Sequence, residues 1–149
     1  MLATLFFCLG FCLAIIYIDL VFDVSARPYR KTNTALPAEV LTPIATYYRY
    51  VTKNPWLLIF VMSVALTCIV AEVLLRLAPP WVGYSSLVIF GLIALLAMAR
   101  VIPGAQRLAS GKESVEKQTK LAHSLSSYHL VFLVLILSLV LLQSCTTHP

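Results

Sequence analysis

Charge is scarce in this chain. Only 11% of its 149 residues are Asp, Glu, Lys or Arg, whereas a soluble domain carries about 25%. Hydrophobic residues make up 60% and the mean hydropathy is +0.92. That balance excludes disorder, a coiled coil, a collagen-like chain, a disulfide-stapled secreted module and an ordinary water-soluble domain. Catalytic signatures are missing as well: there is no Walker loop, no HExxH, no GxSxG, no CxxC, and no His pair at i, i+4 within an apolar run. No acylation or prenylation box is seen either, so lipid anchoring is not expected.

What is present is long apolar runs. A bilayer core of about 30 Å takes roughly 20 apolar helical residues, because each backbone polar group must be satisfied within the segment. Four stretches meet this: about 2–22, 56–78, 81–99 and 125–145. The expected fold is therefore all-α, a single integral-membrane four-helix bundle over residues 1–149. Pro79-Pro80 makes a tight hairpin between spans two and three, since proline ends one helix and suits the first turn of the next. The first span has the small residues Ser25 and Ala26 after it but no basic residue before it, so it is expected to be a span and not a cleaved leader.

Cations are distributed unevenly. Arg27, Arg30, Lys31, Arg49 and Lys53 fall between spans one and two, and Arg100, Arg107, Lys112, Lys117 and Lys120 between spans three and four. Of eleven Lys and Arg, only Arg76 belongs to the other side. The positive-inside rule then expects a plasma or inner membrane protein with loops 24–55 and 101–124 cytoplasmic and both termini outside. The net charge of +5 suits anionic lipid head groups as partners. No nucleic-acid-binding module is recognisable. A second copy or another membrane protein is the other partner class.

Within loop 24–55, Pro37 to about Thr52 reads as an amphipathic interfacial helix carrying Tyr47, Tyr48 and Tyr50, with Asn54 and Pro55 opening span two. In loop 101–124, residues from Ser114 on suit a helix running into span four. Ser114 with Lys117 is not a capping box, and the loop's mixed charge reads as solvation.

Ionisable groups inside spans are costly and therefore informative. Asp19 and Asp23 lie one turn apart near the end of span one, Arg100 closes span three, and His129 opens span four. The topology gives Asp19, Asp23, Arg100 and His129 a common depth. Asp19, Arg100 and His129 are the candidate site residues: a polar pocket with His129 as base, ligand or proton relay, a carboxylate orienting its imidazole and Arg100 holding an anionic or carbonyl oxygen. The plainer alternative, which carries more weight, is a helix-locking contact of Asp19 with Arg100, and for Asp23 simple anchoring at the interface. Glu72 and Arg76, at i and i+4, are expected to form a structural ion pair. Cys8, Cys12, Cys68 and Cys145 read as packing residues; no metal site is expected, as only His148 adds a ligand type near them. Small residues Gly83, Ser86, Gly91, Ala94 and Ala97 place span three at the centre of the bundle, leaving Leu-rich span four to face lipid.

Arg100-Val101-Ile102-Pro103, Leu108 and His129 resemble small four-helix membrane proteins of the anthrone oxygenase-like kind over about the C-terminal half, although no Asn follows Pro103. The resemblance implies a four-helix bundle and oxidation of an aromatic substrate near the membrane, and assigns no catalytic residue. The sequence names no cofactor. Its leading functional reading is a structural or partner-binding membrane protein; the second is a small membrane oxidoreductase or cofactor- or lipid-binding protein.

Overall fold

In the computed structural model, residues 1–30 and 34–145 are described, and all their regular structure is helical. Four helices are long and apolar enough to cross a membrane, which makes this a multi-pass membrane protein. They are α1 (Leu2–Asp23), α3 (Trp56–Leu74), α4 (Pro80–Leu96) and α6 (Val115–Ser144), with α2 (Ala38–Val51) and α5 (Ile102–Ser110) between them. A 3-10 segment, Val24–Arg30, follows α1. Lys31 to Asn33 of the expected basic loop, and His148, lie outside the described residues.

The four long helices pack as a ring in the order α1, α3, α4, α6. Along α1 the buried residues Leu5, Cys8, Leu9, Cys12, Ile16, Asp19 and Asp23 follow the i, i+3, i+4, i+7 pattern of one helix face. On α6 the matching seam is Ala122, Leu125, His129, Phe132, Ile136, Leu139 and Gln143. The α1 seam turns polar at Asp19 and Asp23, and His129 on the α6 seam lies opposite them. Large apolar side chains cover the outside: Phe7, Trp56, Phe60, Val88, Met98 and Leu141 are all exposed. Such a surface aggregates in water and is the ordinary one in lipid.

The expected order of burial within the bundle is reversed. In its most apolar stretch α6 is 33% buried, against 17% for α4 and its extension. Bulky Phe132, Ile136 and Leu139 fill the seam and make α6 a central helix. Of the small residues expected to centre span three, Gly83 and Ser86 are buried, Ala94 and Ala97 half-buried and Gly91 exposed. A Cβ on Gly83 would lie 2.7 Å from Val73 Cγ2, so α3 and α4 touch at that point.

The two long connections are more ordered than loops. Helix α2 covers the expected amphipathic segment, with Pro37 as its N-cap and Pro43 on its exposed face. It does not merely lie at an interface. Leu36, Leu41, Ile44 and Tyr48 pack against Ala105, Leu108, Ala109, Ala122 and Leu125, forming a second core that caps one end of the bundle.

Residues 101–124 are likewise mostly helix. α4 passes through a π turn, Ala97–Val101, into α5, where Ile102 N–H reaches back to the Ala97 carbonyl. The wider turn immediately precedes Pro103, whose ring and missing N–H a regular helix does not accommodate. Gly111, at φ 64, then ends α5 in a left-handed conformation suited to glycine. Ser114 caps α6 by accepting a hydrogen bond from the Lys117 N–H at 3.4 Å. Arg49 ties α2 to α5 by donating from Nε to the Ala109 carbonyl at 3.3 Å. On the other side of the ring, α3 begins at Trp56 with Pro55 as its cap.

A candidate polar site between the bundle and its cap

Helix α1 presents Asp19 and Asp23 on its buried face, α6 presents His129, and α2 presents Tyr47 and Tyr48. Asp23, His129 and Tyr48 are almost fully buried, at 1%, 3% and 2% exposure. His129 Nδ1 lies 2.8 Å from Asp23 Oδ2, and its Nε2 lies 3.7 Å from Asp19 Oδ2. The imidazole is thus in hydrogen-bond contact with Asp23 and lies at a longer distance from Asp19, with a carboxylate on either side of the ring.

The tyrosines complete the group. Tyr47 donates its hydroxyl to Asp19 Oδ1 at 2.6 Å, and Tyr48 donates to Asp23 Oδ1 at 3.0 Å. Tyr48 also lies 3.5 Å from His129 Nδ1, and the Tyr47 ring stacks on Phe22 with centroids 4.1 Å apart. Burial, together with the bond to Asp19 and the nearby carboxylate charges, pushes the Tyr47 hydroxyl well above the usual tyrosine range. Burial and the charge of Asp23 do the same to Tyr48. Both therefore remain neutral donors, as two carboxylates in an apolar setting require.

Of the three expected site residues, Asp19 and His129 come together and Arg100 does not join them. Arg100 sits exposed in the π turn, beside Pro103, Gly104 and, on α6, Ser124 and Tyr128. The helix-locking contact is thus made by Asp19, Asp23 and His129, not by Asp19 with Arg100. Asp23, expected only to anchor at the interface, is the most enclosed member. Tyr47 and Tyr48 were readable as boundary aromatics but not as ligands of the carboxylates; their signal is adjacency on an amphipathic helix rich in tyrosine.

Glu72 departs from its expected pairing. α3 ends at Leu74, and Arg76 is exposed at φ 53, so the i, i+4 helical relation to Glu72 is lost. Glu72 is held instead by Gln143 of α6, whose Nε2 donates to Glu72 Oε2 at 2.8 Å and to Ser86 Oγ of α4 at 2.9 Å. The end of the bundle away from the cap therefore has a polar knot of its own, joining α3, α4 and α6.

Cys8, Cys12 and Cys68 are buried free thiols and Cys145 is exposed. Clefts on the surface of the described residues include one of about 330 Å³ bordered by Leu36, Leu41, Arg49 and Gln118, and one of about 180 Å³ between α5 and α6. Neither is lined by Asp19, Asp23 or His129. Chemically, the buried cluster can pin α1, α2 and α6 to one another through hydrogen bonds. Compared with family models, curated proteins and solved structures, the chain has no match.

Proposed function

We propose that this chain is a structural or partner-binding multi-pass protein of a plasma or inner membrane. Its two long connections fold into a cytoplasmic cap, both termini are outside, and the Asp19–Asp23–Tyr47–Tyr48–His129 cluster clamps the cap to the bundle. The observation that carries this reading is mutual satisfaction: each carboxylate accepts a tyrosine hydroxyl, and the imidazole lies between the two carboxylates. A catalytic or cofactor site requires such groups to face a space of ligand size, and here they are turned on one another. The likeness to anthrone oxygenase-like proteins rests on Arg100-Val101-Ile102-Pro103, Leu108 and His129; of these, Arg100 borders the cleft between α5 and α6 and His129 lies in the buried cluster. The cation asymmetry supports the orientation.

Two measurements test it. Absorbance spectra and native mass spectrometry of detergent-purified protein should reveal no stoichiometric flavin, haem or quinone; recovery of one bound against the cluster overturns the non-enzymatic reading. For orientation, single cysteines at Arg27 and Lys112 in a background lacking Cys145 should react with a membrane-impermeant maleimide only after cells are opened. Labelling of intact cells at either position reverses the topology.

A further inference from the structure

We infer that the cleft between α5 and α6 binds the phosphate of an anionic phospholipid. Arg100 and Arg107, two helical turns apart, line it from one side, and Ser124 and Tyr128 from the other. Gly104 lies within it without a side chain; a Cβ there would come 3.4 Å from Leu125 Cδ2. The space is about 180 Å³, bounded by two guanidiniums, two hydroxyl-bearing side chains and no carboxylate.

Arg107 is partly engaged, since its Nε and Nη2 donate to Glu113 Oε1 at 3.0 and 2.7 Å. Arg100 makes no ion pair with any described residue and is exposed. An unpaired guanidinium at the end of an apolar helix is suited to phosphate, which it meets with two parallel N–H donors.

The surroundings favour a lipid over a soluble phosphate. Toward the membrane from Arg100, Leu95 of α4 and Met98 of the π turn are exposed; below Tyr128, α6 exposes Val131 and Val134. A headgroup in the cleft would leave its acyl chains running along those side chains. Basic pockets between helices at a membrane surface recognise phospholipid headgroups by this combination of charge and apolar wall.

The inference rests on this end of the bundle lying at a membrane surface, and is independent of which side that surface faces. Detergent-purified protein is incubated with phosphatidylglycerol, with phosphatidylcholine, or with sodium phosphate, then followed by native mass spectrometry and thermal unfolding. We expect retained phosphatidylglycerol in preference to phosphatidylcholine, with a rise in unfolding temperature that sodium phosphate does not reproduce. Arg100→Ala should weaken this retention about tenfold, the scale of losing one charge-assisted hydrogen bond, and Tyr128→Phe should weaken it less. Arg27→Ala, an exposed cation of the same end, should leave it unchanged. Equal loss in Arg100→Ala and Arg27→Ala, no preference between the two lipids, or equal stabilisation by sodium phosphate each overturns the inference. Arg100 and Arg27 are exposed and Tyr128 is half-buried, and size-exclusion elution confirms that the three variants fold. If the chain fails to fractionate with membranes, the underlying reading fails; if it does so while Arg100→Ala retains lipid, only the cleft is lost.

Discussion

His129 Nδ1 and Asp23 Oδ2 stand 2.8 Å apart although 106 residues separate them in the chain. This contact joins the first spanning helix to the last, and Tyr48 adds the cap to the same point. Removing one partner of a buried, hydrogen-bonded pair leaves the other charge without compensation, which typically costs about 3–5 kcal/mol. We expect His129→Ala and Asp23→Ala each to lower stability on that scale in detergent unfolding. The double variant should cost much less than the sum. Additive losses would show that the two side chains do not stabilise each other.

Alkaline stability follows from the tyrosines. An ordinary tyrosine ionises near pH 10, and Tyr47 and Tyr48 are both raised in the folded state by burial and by the neighbouring carboxylates. Above about pH 10 the unfolded chain releases protons that the folded chain keeps, so stability falls as pH rises. Below that pH their contribution is fully present. Absorbance at 295 nm should show two tyrosines ionising only as the protein unfolds. Tyr47→Phe with Tyr48→Phe should flatten the alkaline slope, at the cost of a lower plateau near neutral pH because Asp19 and Asp23 lose their donors.

These two sites show which parts of the structure the sequence makes legible. The spans are readable because lipid allows only backbone-satisfied helices, and twenty apolar residues have few alternatives. Asp19 and His129 could be placed at one depth because alternating spans bring the end of the first and the start of the fourth to one end of the bundle, and helix rise sets the depth along each. Rotation is not fixed in that way. Arg100 shares the depth but faces a different neighbour, and only packing decides such an angle. The cap was hidden for another reason: α5 is nine residues long and carries Gln and Arg, so its buried stripe of Gly104, Ala105, Leu108 and Ala109 looks like loop. Its partner stripe lies on α2, more than fifty residues earlier, and neither stripe is informative alone.

Close approach of α3 and α4 makes one glycine different from another. A methyl group on Gly83 meets Val73 Cγ2 at 2.7 Å, and valine in a helix has essentially one rotamer with which to yield. Gly83→Ala should therefore destabilise by about 1–3 kcal/mol, the range for overpacking a well-fitted contact. Gly91 has nothing within 4 Å of such a methyl group. Gly91→Ala should be neutral or stabilise by up to about 1 kcal/mol through helix propensity. Combining Gly83→Ala with Val73→Ala should recover part of the loss, as read by detergent unfolding. A Gly83→Ala variant as stable as Gly91→Ala would contradict the contact.

The far knot separates two accounts of Glu72. If Arg76 neutralised it within one helix, Arg76→Ala would be costly and Gln143 substitutions mild. The structure puts Arg76 beyond the end of α3 and exposed, with Gln143 bonded to both Glu72 and Ser86. Arg76→Ala should then change stability by no more than about 0.5 kcal/mol, the usual span for surface positions. Gln143→Leu removes the donor to a buried carboxylate and should cost at least about 1.5–3 kcal/mol. Glu72→Gln keeps the volume and can still accept from Gln143, so its loss should be the smaller of the two. Thermal unfolding of the three single variants in one detergent orders them; Arg76→Ala as the most damaging would restore the intrahelical pair and remove Gln143 from its role in joining α3, α4 and α6.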